Sequence, residues 1–193
     1  CECCEQKKGE MKGMKYDLNH TFVTSDWHFR DWMVFGGLLA ESTKEEEPRH
    51  IELWNSIVGK DDLVLYIGDF CDGGVGDLEE LSGKLNGRKI LIKGNHDRLG
   101  DEWYRCAFED VVKEMRIDEL NLRLVHVKAE ARDLQSGERI IYGHEHRLMS
   151  EQPPTTCDSI CVCAKWHGWK PVTLAEAIRQ DGRGEEFGLI KQS

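Results

Sequence analysis

Five short segments carry side chains able to ligate divalent cations: Asp26-Trp27-His28, Gly68-Asp69, Gly94-Asn95-His96-Asp97, Val125-His126 and Gly143-His144-Glu145-His146. Carboxylate and amide oxygens with imidazole nitrogens form a mixed set that suits Mn, Fe, Zn or Ni better than Ca. Asp69 has two oxygens and is the natural bridge between two ions, which two-metal hydrolases hold about 3.5–4 Å apart. Taken singly, these segments say little. A Gly-Asp pair is usually a turn, and a lone histidine after a strand is usually a satisfied imidazole. Yet five of the eight histidines fall in them, whereas His20, His50 and His167 match none and read as structural or solvated.

Strands must position these groups. Four of the segments follow apolar runs (Thr21 to Thr24, Leu63 to Ile67, Ile90 to Lys93, Ile140 to Tyr142), and His126 closes the alternating run from Leu122. The repeated pattern is strand followed by functional loop. In extended backbone, residues two apart face one way, so Asp26 with His28, and His144 with His146, are each expected to share a side. Between the strands, Arg49 to Val58 repeats Ile51, Trp54, Ile57 and Val58 at helical spacing just after Pro48, and Leu78 to Leu85 does so before the Asn86-Gly87 stop. Gly73 to Gly76 reads as a loop. Asp101 to Phe108 and Leu174 to Arg179 read as further helices, Val111 to Lys113 and Arg116 to Asp118 as extended pieces, Leu122 to Val127 and Ser159 to Ala164 as strands. Such alternation favours a layered α/β architecture.

The order and chemistry of the segments resemble the calcineurin-like metallophosphoesterases, whose signature runs D-x-H, G-D, G-N-H-D/E, H and G-H-x-H. The small single-domain phage and bacterial branch is similar in further detail: Thr24-Ser25-Asp26-Trp27-His28-Phe29, Leu85 through Asp97, and Trp166 through Leu174 match its opening, middle and ending. The resemblance implies a four-layer α-β-β-α sandwich of two mixed β-sheets with metals at the strand ends. It implies one ion on Asp26, His28, Asp69 and His146 and a second on Asp69, Asn95, His126 and His144. His126 lacks the proline that often follows it in the branch. Also implied is hydrolysis of a phosphate ester by a hydroxide bridging the ions, with Asn95 and His96 meeting the substrate and Asp97 fixing the tautomer of His96. Where the branch often has Gly-His, this chain has Arg30-Asp31, and Arg30 is offered as a phosphate contact. Two divalent ions are the implied cofactor, with Mn the activating ion in an assay. A small phosphorylated substrate, nucleotide-like and most readily a diester, is the implied partner. A phosphomonoesterase or pyrophosphohydrolase is the near rival. A catalytically silent metal-binding scaffold is the rival of another class, and it would be expected to lack ligands that this chain keeps.

Composition narrows the setting. The 193 residues suit one domain, expected over residues 16–193 behind a mobile polar leader at 1–15. A net charge of −10 argues against nonspecific nucleic-acid binding, which draws affinity from Lys and Arg. No run approaches the roughly 18 apolar residues that span a bilayer, so the cytoplasm is the expected location. The eight cysteines include Cys1, Cys3 and Cys4 at the start and Cys157, Cys161 and Cys163 near a strand, and they read as reduced thiols. A zinc shared between those two groups has no paired C-x-x-C spacing behind it.

Overall fold

Short runs of branched and aromatic residues build two sheets in the computed structural model, which describes residues 16–30, 46–147, 155–156 and 158–179. The leader at 1–15, Asp31 and Cys157 lie outside the described residues. The first sheet has the order β4-β3-β2-β1-β9, from β1 (Thr21–Thr24), β2 (Leu63–Ile67), β3 (Arg88–Ile92), β4 (Asp110–Val112) and β9 (Val172–Thr173). Strands β1 to β4 run parallel, and β9 pairs antiparallel with β1 through Phe22 opposite Thr173. The second sheet has the order β5-β6-β7-β8, from β5 (Glu114–Ile117), β6 (Leu122–Val125), β7 (Arg139–Tyr142) and β8 (Ser159–Cys161). Only β5 is antiparallel within it. Both sheets are therefore mixed.

Side-chain alternation divides the core. Val23, Leu65, Ile67, Ile90 and Ile92 of the first sheet meet Met115, Ile117, Leu122, Leu124, Ile141 and Ile160 of the second, and α4 (Leu174–Arg179) closes this inter-sheet core with Leu174, Ala177 and Ile178. On the other face of the first sheet, Phe22, Val64, Tyr66 and Leu91 pack against α1 (Glu47–Asn55), α2 (Val75–Lys84) and α3 (Asp101–Ala107), chiefly through Trp54, Leu78, Leu81 and Tyr104. The outer face of the second sheet carries Val125, Ile140, Tyr142, Cys161 and Cys163, packed by Ala131 and Trp166. Strands buried on both faces explain why β1, β2 and β7 read as continuous apolar runs. Helix α2 starts at Val75, inside the run expected to be a loop, because Asp77 Oδ2 accepts the Gly74 N–H at 2.9 Å and fixes its first turn. No helix among the described residues is long and apolar enough to cross a membrane.

The hydrogen-bond ladder does not stop where the strands do. Beyond β1 and β2, the backbone N–H groups of Asp26, His28 and Phe29 donate to the carbonyls of Gly68, Asp69 and Phe70 at 2.9–3.1 Å, and the Asp72 N–H returns to Phe29. Ser25 joins the sheets, since its N–H donates to Val162 and its carbonyl accepts from Ala164. The loops leaving β1, β2 and β8 are thereby gathered at one end of the sandwich, where the Gly143 N–H on the His126 carbonyl at 3.0 Å also joins the loops leaving β6 and β7.

Candidate metal centre

Asp26, His28, Asp69 and His126 each have one polar atom tied to the fold and another aimed at a common space. Asp26 Oδ2 accepts from Ser25 Oγ at 2.5 Å and from the His144 N–H at 2.8 Å, which leaves Oδ1. Asp69 Oδ1 accepts the His96 N–H at 2.8 Å, which leaves Oδ2. His28 has Nδ1 on Asp72 Oδ2 at 3.0 Å, and its Nε2 lies 3.6 Å from Asp69 Oδ2 and 3.9 Å from Asp26 Oδ1. His126 has Nδ1 on the Ile67 carbonyl at 2.9 Å, and its Nε2 lies 3.2 Å from Asp69 Oδ2 and 3.0 Å from Asn95 Oδ1. His146 Nε2 lies 4.0 Å from Asp26 Oδ1, and the His144 ring centroid is 5.2 Å from that of His126.

Three groups of side chains bring one ligand atom each within 4.8 Å of one another: Asp26, His28 and His146; Asp69, His126 and His144; and His28, Asp72 and His96. The atoms Asp26 Oδ1, His28 Nε2 and Asp69 Oδ2 are buried and make no hydrogen bond, Asp69 Oδ2 having only the ion-pair contact with His126 Nε2 at 3.2 Å. Buried polar atoms are normally satisfied, because each orphan costs about 1–3 kcal/mol or more. Three orphans converging from two carboxylates and an imidazole fit a divalent cation, which would satisfy all of them together. The field there already favours positive charge. Burial opposes a charge on His126, but Asp69 and Asp26 outweigh it and push the imidazole up to about 9. Burial would likewise raise Asp69, yet His126 and His28 hold it down at about 2.

Backbone geometry differs from the extended alternation expected of the paired ligands. Asp26, His28, Asp69 and His144 all have left-handed φ, at 55°, 45°, 58° and 70°, and Glu145–Arg147 form a 3-10 turn. Left-handed conformation at a residue other than glycine costs of the order of 1–3 kcal/mol and concentrates at functional sites. Here it bends each loop back over the strand ends, so the shared side comes from kinks and not from the pleat. Two glycines let the loops touch. A Cβ on Gly68 would lie 2.4 Å from His126 Nδ1, and one on Gly94 would lie 2.2 Å from Asp69 Oδ1.

Two residues have other partners than their expected roles would give them. Asp97 was expected to orient His96, but its Oδ2 accepts the N–H groups of Asp69 and Gly94, and its Oδ1 that of Phe70, at 2.8–3.1 Å. It clamps the β2 and β3 loops together. Burial, with Asp69 alongside, pushes its carboxyl up to about 6 against the pull of those donors. Instead, His96 Nδ1 meets Asp72 Oδ1 at 3.0 Å. Arg30, expected at the phosphate, is bonded to Glu47, Asp77 and Glu80, with Nε–Oε2 of Glu47 at 3.1 Å and Nη2–Oε2 of Glu80 at 2.9 Å. The sequence reading missed Asp72, which bridges His28 and His96. Burial would raise its carboxyl, but the bonds to both imidazoles hold it below the ordinary carboxylate range. Its signal was a second carboxylate three residues past Asp69, in a loop already marked as functional.

Among the remaining histidines, His50 is buried and stacks on Trp169 with centroids 4.7 Å apart. His20 pairs with Asp62 at the surface, and His167 bonds the Cys161 carbonyl. Cys71, Cys161 and Cys163 are buried, and Cys106 is exposed.

Comparison with known proteins now gives this geometry a family. The profile described as calcineurin-like phosphoesterase matches residues 20–133, which hold Asp26, His28, Asp69, Asn95, His96 and His126. The chain belongs to the calcineurin-like phosphoesterases. It is a metal-dependent phosphoesterase, a hydrolase of phosphoric ester bonds. An uncharacterized protein of Methanocaldococcus jannaschii, MJ1445, is 26% identical over 90% of this chain and 97% of its own length. The Gene 66 proteins of mycobacteriophages D29 and L5 are 40% and 34% identical over 42% of this chain, and the matches cover 42% and 41% of those proteins, in keeping with a small phage and bacterial branch. Among solved structures, a protein of unknown function from Aquifex aeolicus, AQ665, superposes with a TM-score of 0.60 at 22% identity, over 81% of this chain and 96% of that one. That likeness supports the two-sheet fold.

Proposed function

We propose that the chain hydrolyses phosphodiesters of nucleotide-like substrates using two divalent cations. The observation that carries this reading is the convergence of the orphaned atoms Asp26 Oδ1, His28 Nε2 and Asp69 Oδ2 between two ligand groups. In this reading Asp26, His28, Asp69 and His146 hold one ion and Asp69, Asn95, His126 and His144 the other, with Asp69 shared. When bound, the two cations supply Lewis-acid stabilisation of the phosphoryl oxygens and acidity for a water nucleophile near neutral pH. The protein's own groups do the rest. The Asp72 carboxylate takes His96 Nδ1 and leaves Nε2 as the site that delivers a proton to the leaving oxygen. The Asn95 amide, turned with Oδ1 toward His126, has its N–H donors for a phosphoryl oxygen.

A diester is preferred over a monoester for an electrostatic reason. A monoester is a dianion at neutral pH and calls for additional positive charge, whereas Arg30, expected as a phosphate contact, is taken up by three carboxylates. The test is hydrolysis of matched aryl phosphodiesters and phosphomonoesters by chelator-stripped protein, with and without Mn, with Asp69→Ala as control. Mn-dependent turnover of the diester, lost in the control, supports the reading. Faster monoester turnover moves it to a phosphatase. Tight metal binding without turnover of either ester overturns it in favour of a binding role.

A further inference from the structure

We propose that Arg30 is a positioning residue for the phosphoesterase reaction, holding Asp72 where it can orient His28 and His96 together. The inference rests on the reading of His96 as proton donor and extends it to a residue outside the five ligand segments.

Arg30 has left-handed φ (61°) and lies two residues past His28. Its guanidinium bridges two helices through three carboxylates: Nε and Nη2 fork onto Glu47 of α1 at 3.1 and 3.2 Å, Nη1 meets Asp77 Oδ1 of α2, and Nη2 also meets Glu80 of α2. Asp77 is the joint between this clamp and the site. While Oδ1 accepts from Arg30, Oδ2 accepts the Gly74 N–H at 2.9 Å, and the turn lies so close that a Cβ on Gly73 would be 2.6 Å from Asp77 Cβ. Asp72 immediately precedes that turn and sends one oxygen to each imidazole at 3.0 Å. Arg30 and Asp72 are also joined from the other side, because the Asp72 N–H donates to Phe29 O at 3.1 Å. The chain of contacts is therefore Arg30, Asp77, the 72–74 turn, Asp72 and the two imidazoles, closed into a ring by the backbone at Phe29. A planar five-donor fork can hold such a ring in one geometry, which a lysine ammonium cannot. Misplacing a catalytic group by about 1 Å costs on the order of 10²-fold in rate, so modest slack in the ring is felt at His96.

The test uses the full chain loaded with Mn and a series of aryl phosphodiesters graded by leaving-group pKa. Arg30→Met is expected to lower kcat about tenfold or more on poor leaving groups, with KM within about twofold and little loss on the best leaving group. Asp77→Asn, which keeps an acceptor for Gly74, should show a weaker form of the same steepened dependence even where Arg30→Met folds poorly. Arg30→Lys should recover only part of the loss, and adding Asp72→Asn to Arg30→Met should cost little more than Asp72→Asn alone. A rise in KM with kcat unchanged would return Arg30 to the phosphate and overturn the proposal. A lower Tm with an unaltered leaving-group dependence would reduce Arg30 to a structural ion pair. If His96→Ala itself leaves that dependence unaltered, the reading of His96 has failed; if His96→Ala steepens it and the Arg30 variants do not, the clamp alone has failed.

Discussion

Substituting Gly94→Ala adds one methyl group at the closest approach of two site loops. The new Cβ would lie 2.2 Å from Asp69 Oδ1 and 2.7 Å from the Asp69 backbone nitrogen, where ordinary contact begins near 3.4 Å. Something must move by about an ångström, and neither neighbour moves freely. Asp69 N–H is held by Asp97 Oδ2 at 2.9 Å, and Asp69 Oδ1 holds the His96 N–H at 2.8 Å. Overpacking of this kind typically costs about 1–3 kcal/mol, which for a domain of this size lowers Tm by roughly 2–12 °C. The effect on rate should be larger in proportion. Rotating the Asp69 carboxylate swings Oδ2 out of the space it shares with His28 and His126, and an error of about 1 Å there predicts a loss on the order of 10²-fold in kcat. The assay is Mn-dependent hydrolysis of an aryl phosphodiester with thermal unfolding measured on the same samples. Gly83→Ala is the matched control, since its Cβ would meet nothing within 4 Å on the exposed side of α2, and helix propensity alone predicts a gain of about 0.5–1 kcal/mol with activity retained. Wild-type turnover and Tm in Gly94→Ala would refute the steric reasoning.

Other perturbations test separate parts of the site. His96→Ala should retain metal, measured by calorimetry, while losing on the order of 10²–10⁴-fold in turnover of esters with poor leaving groups; undiminished turnover of those esters would remove it from proton transfer. Asp72→Ala should weaken both of its partners, lowering metal affinity through His28 by about 10–100-fold and turnover through His96, whereas an effect on only one would show that the bridge is not shared. Mn at 100-fold over its Kd should stabilise the native state by about 2.7 kcal/mol, and chelation should reverse it; a Tm indifferent to both would argue against a native-state ion. Burial, helped by Arg49, lowers the imidazole pKa of His50 below the ordinary 6.5, and Glu46 opposes this. The unfolded chain therefore binds the proton first as pH falls below 6.5, and stability drops in that window. His50→Phe, which keeps the rings against Trp169 and Trp27, should gain stability relative to wild type from pH 6.5 downward in chemical denaturation; a constant difference from pH 7.5 to 5 would refute it.

Local physics explains how much was legible beforehand. Strands β1 and β2 and helix α4 are contiguous runs whose burial shows in composition, so the expected and observed bounds coincide at Thr21–Thr24, Leu63–Ile67 and Leu174–Arg179. Strand β9 was missed because two residues carry no period; it exists through pairing with Phe22 and Val23, some 150 positions away in the chain. The same division runs through the site. Residue type and strand-end position mark Asp26, His28, Asp69, Asn95, His96, His126, His144 and His146 as a group, because ligand chemistry is a property of the side chain itself. Which oxygen or nitrogen of each remains for a ligand is decided by hydrogen bonds from distant backbone, such as His144 N–H on Asp26 or Ile67 O on His126. Tertiary packing likewise separates three carboxylates that look alike in sequence: Asp69 faces the common space, Asp72 joins two imidazoles, and Asp97 turns under the loops to backbone donors. The sequence alone determines that these groups are present and near strand ends. Only tertiary packing decides what each one touches, among loops of the first sheet for Asp72 and Asp97 and across the two sheets for Asp26 and His126, because a side chain's role is set by partners that lie elsewhere in the chain.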